Sequence, residues 1–231
     1  MKTTVRFIKM SFLSVLVCTG ICVQAQKNGA NYARIQYNNP IGEYKDFYSY
    51  GIGLEYGHTF YFDIALGELV SPGIDVTFLE LAYDSGKEYD YSQGLSASEA
   101  TLYNYKTKGG FLMTAGPKVG LAAQMELIDG LFLETSIKYC PTLVFGSRTL
   151  ARTSLNPKEQ SSGCFAFSNR LSLNLGLKYQ WFSFGGEFVF GKAKLDYSKD
   201  IIPDFESNPM ILQDEKNLGM NTFKLYVGFN F

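Results

Sequence analysis

The sequence predicts an all-β fold: a single closed antiparallel up-and-down transmembrane β-barrel of about eight strands, with short periplasmic turns and long extracellular loops. Three observations carry this. Apolar and polar residues alternate with period two through segment after segment, the pattern of strands with two unlike faces. The connections between those segments alternate short and long. Aromatic residues make up 16% of the chain and charged residues only 19%, which favours strands and membrane interfaces over a soluble, charged surface.

The chain has 231 residues, enough for one large β domain. Residues 1–25 are predicted as a signal peptide: Lys2, Arg6 and Lys9 form a positive head, Met10 to Val23 an uncharged apolar stretch, and Val23-Gln24-Ala25 a small-residue exit. A lipidated Cys22 is the rival processing, but Ile21 is bulky where such a signal takes a small residue. The apolar stretch falls short of the about 20 residues a membrane helix needs. Residues 26–231 then form the barrel domain. Loss of the three basic residues takes the formal charge from -1 to -4, and no basic, aromatic-interleaved patch points to nucleic acid.

In order, Ala33, Ile35 and Tyr37 mark the first strand, and Ile52, Leu54, Tyr56, His58 and Phe60 the second. The third begins with Ile74, Val76 and Phe78 and switches parity to Leu79, Leu81 and Tyr83, which predicts a bulge at Phe78 and Leu79. A polar loop is expected over 84–110. The fourth strand presents Met113, Pro117, Val119, Leu121 and Leu127, with Pro117 expected at its irregular outer end because it cannot donate to a ladder. The fifth presents Leu131, Leu133, Ile137, Tyr139 and Leu143. Pairing Leu127 with Leu131 leaves the three-residue turn Ile128-Asp129-Gly130. A loop over 146–163 leads to the sixth strand, Phe165 to Tyr179, then a tight turn at Gln180-Trp181 and a seventh with Phe182, Phe184, Phe188 and Phe190. A polar loop over 192–219 precedes the closing strand, Phe223 to Phe231, which is expected to pair with Ala33 to Tyr37.

Size decides which face is inside. The polar face is rich in Gly53, Gly57, Gly120, Ala122, Ser136, Ser172, Gly176 and Gly185, while the apolar face carries large Leu, Phe and Tyr throughout, so the apolar face points outward to lipid. The lumen then holds a charge network of Arg34, Lys118, Lys138, Arg170, Lys178 and Lys224 against Glu55, Asp75, Glu80, Glu126, Glu134 and Glu187. Six charges of each sign suggest mutual pairing in a filled interior.

The residues offer little chemistry. His58, the single histidine, falls on the outward face between Tyr56 and Phe60. Glu126 and Glu134 resemble a carboxylate pair but lie among Lys118 and Lys138. Ser92 to Ser98 reads as a loop, and Gly51-Ile52-Gly53 is too short for a nucleotide-binding fingerprint. Cys140 and Cys164 share the inward parity, either bridged or, on the plainer reading, two small lumen residues. No enzyme, cofactor or metal site is expected.

With the signal, the two-faced strands and Val227-Gly228-Phe229-Asn230-Phe231 in view, the chain resembles the small outer-membrane β-barrel proteins of Gram-negative bacteria, the group of the OmpA barrel and OmpX-like proteins. The resemblance implies residence in the cell outer membrane, an assembly signal at Val227, Phe229 and Phe231 read by the barrel assembly machinery, and action through outer loops in adhesion, surface interaction or envelope structure. An extracellular partner would meet loops 84–110 and 192–219. A narrow porin-like channel for ions or small solutes is the alternative, and a secreted soluble ligand-binding barrel the third reading.

Overall fold

The computed structural model describes residues 29–62, 70–90, 105–152, 159–196, 200–202, 210–212 and 215–231. The expected signal peptide, Ser92 to Ser98 and the tips of the long loops lie outside the described residues. Eight antiparallel strands form the wall: β1 (Gly29–Pro40), β2 (Tyr48–Tyr61), β3 (Val70–Gly86), β4 (Tyr105–Ile128), β5 (Leu131–Arg152), β6 (Glu159–Tyr179), β7 (Phe182–Asp196) and β8 (Thr222–Asn230). Each pairs with its neighbours in sequence, and β8 pairs with β1 through Phe229↔Ala33, Val227↔Ile35 and Leu225↔Tyr37. The sheet is thereby a closed ring without an edge.

Inside and outside follow the residue parity. Ile35, Leu54, Leu121, Leu175, Phe184 and Leu225 are exposed on the exterior, whereas Arg34, Glu55, Lys138, Ser172 and Lys224, adjacent to such positions or one rung away, are buried. A continuous belt of exposed Leu, Ile, Phe and Tyr far exceeds what a water-facing surface carries. It is stable against hydrocarbon, so the barrel spans a lipid bilayer. Trp181 stacks on Phe229 at a centroid distance of 5.5 Å at one end of this belt, the place of an aromatic girdle.

The predicted bulge is present: Tyr56 pairs with Leu79 but Gly57 with Thr77, so Phe78 is extra and both Phe78 and Leu79 face out. Pro117 corrects the sequence reading. It lies mid-strand in β4, where the β3–β4 register slips between Thr77↔Lys118 and Glu80↔Gly116, because the strand runs on well beyond it. The β4–β5 turn is also tighter than expected. Ile128, not Leu127, is opposite Leu131, leaving Asp129-Gly130 as the connection with Gly130 at φ 75°. At the β6–β7 turn Gln180 adopts φ 53° without being glycine.

The largest correction concerns the long loops. Strand β3 continues through Asp84 to Gly86, Tyr89–Asp90 pairs with Lys106–Thr107, β5 and β6 remain paired from Ser147↔Gly163 to Ala151↔Glu159, and Glu215–Gly219 pairs with Lys192–Asp196. Much of 84–110, 146–163 and 192–219 is therefore sheet. The reason is that backbone ladders are indifferent to side-chain alternation once a hairpin leaves the hydrocarbon. At 24, 22 and 21 residues, β4, β5 and β6 greatly exceed the roughly 9–11 residues needed to cross. The hairpins extend from one end of the barrel, and the Asp129-Gly130 and Gln180-Trp181 turns close the other.

Candidate functional site

The lumen is the one place where chemistry-bearing side chains converge among the described residues. Strand parity brings them there, and the stagger between strands decides which of them meet. Lys118 on β4 is the centre. Its Nζ donates to Glu55 Oε2 at 2.8 Å and to Glu187 Oε1 and Oε2 at 2.7 and 2.9 Å, and it also pairs with Glu80. The three carboxylates offer oxygens within 4.8 Å of one another, an arrangement that could hold a metal ion. The ammonium of Lys118 already sits among them as the cation, so the donor set does not fit a further ion.

Around this core, Lys138 Nζ reaches Glu55 Oε1 and Asp75 Oδ2, each at 3.2 Å. Lys224 Nζ contacts Glu80 Oε1 at 2.5 Å and Gln36 Oε1 at 3.3 Å. Arg170 pairs with Glu80 at 3.8 Å and donates through Nε to Thr142 Oγ1 at 3.1 Å. Arg34 pairs with Glu55 at 3.3 Å and Glu134 at 3.9 Å, and its guanidinium is sandwiched between the rings of Tyr32 and Tyr226 at 4.2 and 4.4 Å. Such stacking keeps an arginine planar and dry. Tyr32 donates to Asp75 Oδ1 at 2.7 Å, and Tyr61 to Glu134 Oε1 at 3.1 Å.

Of the twelve residues assigned to the network from sequence, Glu126 is not in it. It is exposed at the turn, where its carboxylate accepts the Gly130 N–H at 3.2 Å, because inward parity that close to the rim points a side chain at solvent. Lys178 is peripheral, reaching only Glu134 at 3.6 Å. Conversely, Asp84 and Arg148 are buried, though sequence places both in loops. With them, six carboxylates and six basic groups are buried among the described residues. Tyr32 and Tyr226 were also missed. Their signal was their inward parity beside Arg34, masked by the expectation of small lumen residues.

Toward the hairpin end the lumen changes character. A short helix α1 (Tyr44–Phe47) folds over the mouth, and Tyr44, Tyr48, Leu112, Val144, Leu195, Leu218 and Met220 form a buried apolar cluster with Cys164 and Ala166. The sequence does not mark this cap: Tyr44 and Tyr48 lie between the first and second strands, and Leu112, Leu195, Leu218 and Met220 within or at the edges of stretches read as loops, whereas Val144, Cys164 and Ala166 belong to or flank the fifth and sixth strands. Tyr44 is anchored by donating to Asp84 Oδ2 at 2.7 Å. Burial first, and then the Asp84 carboxylate, push the Tyr44 phenol well above its ordinary value, so it stays a donor.

Cys140 is opposite Arg170 and Cys164 opposite Gly146 on the β5–β6 ladder. Six residues of strand, about 20 Å, separate the two levels, too far for a bridge, and neither cysteine is in a disulfide. His58 faces outward, half-buried, with Nδ1 2.8 Å from Asn31 Oδ1 and its ring tilted against Phe60. Val227 and Phe229 are exposed on the belt, and Phe231 extends the β1 ladder, its N–H donating to Asn31 O at 2.9 Å.

No protein-family model and no curated protein matches the chain. Among solved structures it is similar to Ail, the attachment invasion locus protein of Yersinia pestis, in complex with the heparin analogue sucrose octasulfate: 13% identity over 88% of this chain and 99% of that one, TM-score 0.36. It is also similar to a major outer membrane protein from Thermus thermophilus, with 14% identity over 88% and 99%, TM-score 0.44. A porin of Rh. blastica gives 9% identity over the same shares, TM-score 0.20. Scores this low add nothing to what the closed ring of strands already establishes.

Proposed function

We propose that the protein is a non-enzymatic integral outer-membrane barrel with a closed lumen, which acts at the cell surface through its projecting hairpins. What supports the reading is the packing of the described lumen residues. An interlocked ionic layer around Lys118 lies beneath an apolar cap of Tyr44, Leu112, Val144 and Met220, and a solute path would have to break both. The void beside Lys118, Cys140 and Arg170 has no room for a water molecule. On this reading residues 1–25 direct export, the Asp129-Gly130 and Gln180-Trp181 turns face the periplasm, and the hairpins within 84–110, 146–163 and 192–219 face outward. Surface contacts fall to those hairpins because they extend past the hydrocarbon. Val227, Phe229 and Phe231 would be presented to the assembly machinery.

Planar-bilayer recording on the refolded barrel tests the closed lumen. A folded, inserted and silent barrel is the expected result. Steady, reproducible single channels would overturn it in favour of a narrow pore.

A further inference from the structure

The hairpin end of the lumen is covered by a strap. Residues 41–47 leave β1 after Pro40, turn at Gly42, whose φ of 62° suits glycine, and cross the opening as α1 before the chain enters β2. Backbone bonds to the wall hold the two ends of the strap, where the Ile41 N–H donates to Asn221 O at 2.9 Å and the Lys87 N–H to Phe47 O at 2.8 Å. Between those ends Tyr44 is fully buried, and its phenol donates to Asp84 Oδ2 at 2.7 Å. The middle of the strap is thus anchored on one carboxylate.

That carboxylate is buried on the part of β3 that continues past the hydrocarbon. Gly51 leaves the room it occupies, since a Cβ there would overlap Asp84 Oδ1. Both of its donors among the described residues are neutral: Tyr44, and Asn38 Nδ2 at 3.2 Å. Lys224 and Arg170 face it from β8 and β6, but both pair with Glu80. The strap's own Glu43, Lys45 and Asp46 are exposed. Beside the carboxylate, Asn38 Oδ1 is buried without a hydrogen-bond partner among the described residues. An ionised Asp84 cannot use that oxygen, because both groups only accept. A protonated Asp84 can: turning the Asn38 amide over presents Oδ1 to the carboxyl O–H, while Tyr44 still donates to Asp84 Oδ2.

We propose that Asp84 is a proton-operated latch: its protonation locks Tyr44 and α1 over the lumen mouth, and its ionisation lets the strap lift. Burial holds the Asp84 carboxyl above its ordinary value while the strap is down. With the strap raised, water reaches the carboxylate and that value falls back. The closed form therefore takes the proton first, so its share rises as the medium is acidified through the raised value and declines again toward neutrality. The ionic layer around Lys118 lies below the strap and does not move with it. Which medium supplies the proton rests on the orientation given under the proposed function.

Hydrogen–deuterium exchange of the full barrel in nanodiscs, where both ends meet the buffer, tests the latch independently of that orientation. The readout is the strap peptide containing Asp46 and Tyr48, whose N–H groups donate to Glu43 O and Tyr44 O. After correction for the exchange of unstructured amides, its protection should be severalfold higher at about pH 5 than at about pH 7.5, on either side of the window into which a raised carboxyl titrates. Peptides of β5 and β6 should keep the same protection at both. Asp84→Asn, held in the neutral state, should show the higher strap protection at both pH values. Asp84→Ser, equally without a titrating group, serves if the first variant does not assemble, and its strap protection should not change with pH. Strap protection in the unaltered barrel that is equal at the two pH values, or lower in acid, would overturn the proposal, as would a pH dependence that survives in the Asp84 variants.

Discussion

Replacing Lys118 with Met tests whether the lumen is a dry, interlocked ionic core. The change keeps the length and removes the charge. Its consequences differ among the three carboxylates. Glu55 keeps Arg34, Lys138 and a 2.7 Å hydrogen bond from Gln36, and Glu80 keeps Lys224 and Arg170. Glu187 is left with Lys224 alone, at 4.0 Å. Breaking a buried pair by removing one partner costs about 3–5 kcal/mol, since an uncompensated charge remains. Urea unfolding in vesicles, followed by the emission of the single Trp181, should show a loss of that size. Glu187→Gln added to Lys118→Met should recover the larger part, whereas Glu55→Gln added to it should recover little. A loss below about 1 kcal/mol would be that of a solvent-screened pair and would refute the dry lumen. Equal rescue by both glutamines would refute the assignment of Glu187 as the stranded group.

Other perturbations address the wall and the cap. Gln180→Gly should raise stability by about 0.5–1 kcal/mol, since a side chain at φ 53° is strained and glycine is not; an unchanged urea midpoint would contradict this. At Gly120 a Cβ would overlap the Ile137 carbonyl and the Lys138 Cα, so Gly120→Ala should destabilise by about 1–3 kcal/mol or prevent closure, read as loss of the compact, heat-modifiable band in electrophoresis. Tyr44→Phe leaves Asp84 one buried hydrogen bond short, at a cost of about 1–3 kcal/mol. Because the folded Tyr44 phenol lies above its unfolded value of about 10, its contribution is complete below about pH 10 and fades as pH rises toward the folded value. Urea midpoints of Tyr44→Phe should therefore fall less steeply than those of the parent in that alkaline range. Phe231→Ala should lower the amount of assembled barrel in membranes more than a substitution in any hairpin tip, measured by fractionation.

The wall was legible because lipid on one side and a narrow lumen on the other impose opposite demands on alternate residues. Leu171, Leu173 and Leu175 against Arg170, Ser172 and Asn174 state both demands within six positions. Even the parity switch at Phe78 and Leu79 could be read as a bulge. The strand ends could not, since Thr107, Arg148 and Lys192 lie beyond the hydrocarbon, where the sheet continues without a two-faced pattern. The same limit hid the cap, whose Tyr44, Leu112 and Met220 have no periodic context. The partners within the lumen depend on stagger. Lys118 and Glu187 meet across 69 positions of chain, and no local pattern encodes that offset. Glu126 shows the converse error, since parity gives a direction but not a depth.

The ring closes with β8, and the register of that strand has a kinetic consequence. Lys224 enters the lumen on the last strand and docks on Glu80, 144 positions earlier, and on Gln36, 188 positions earlier. Until β8 arrives, the buried inner face of the first seven strands holds one carboxylate more than its buried basic groups. An open sheet in that state resists burial in hydrocarbon, because burying it would strand those charges. Ring closure and charge neutralisation therefore coincide.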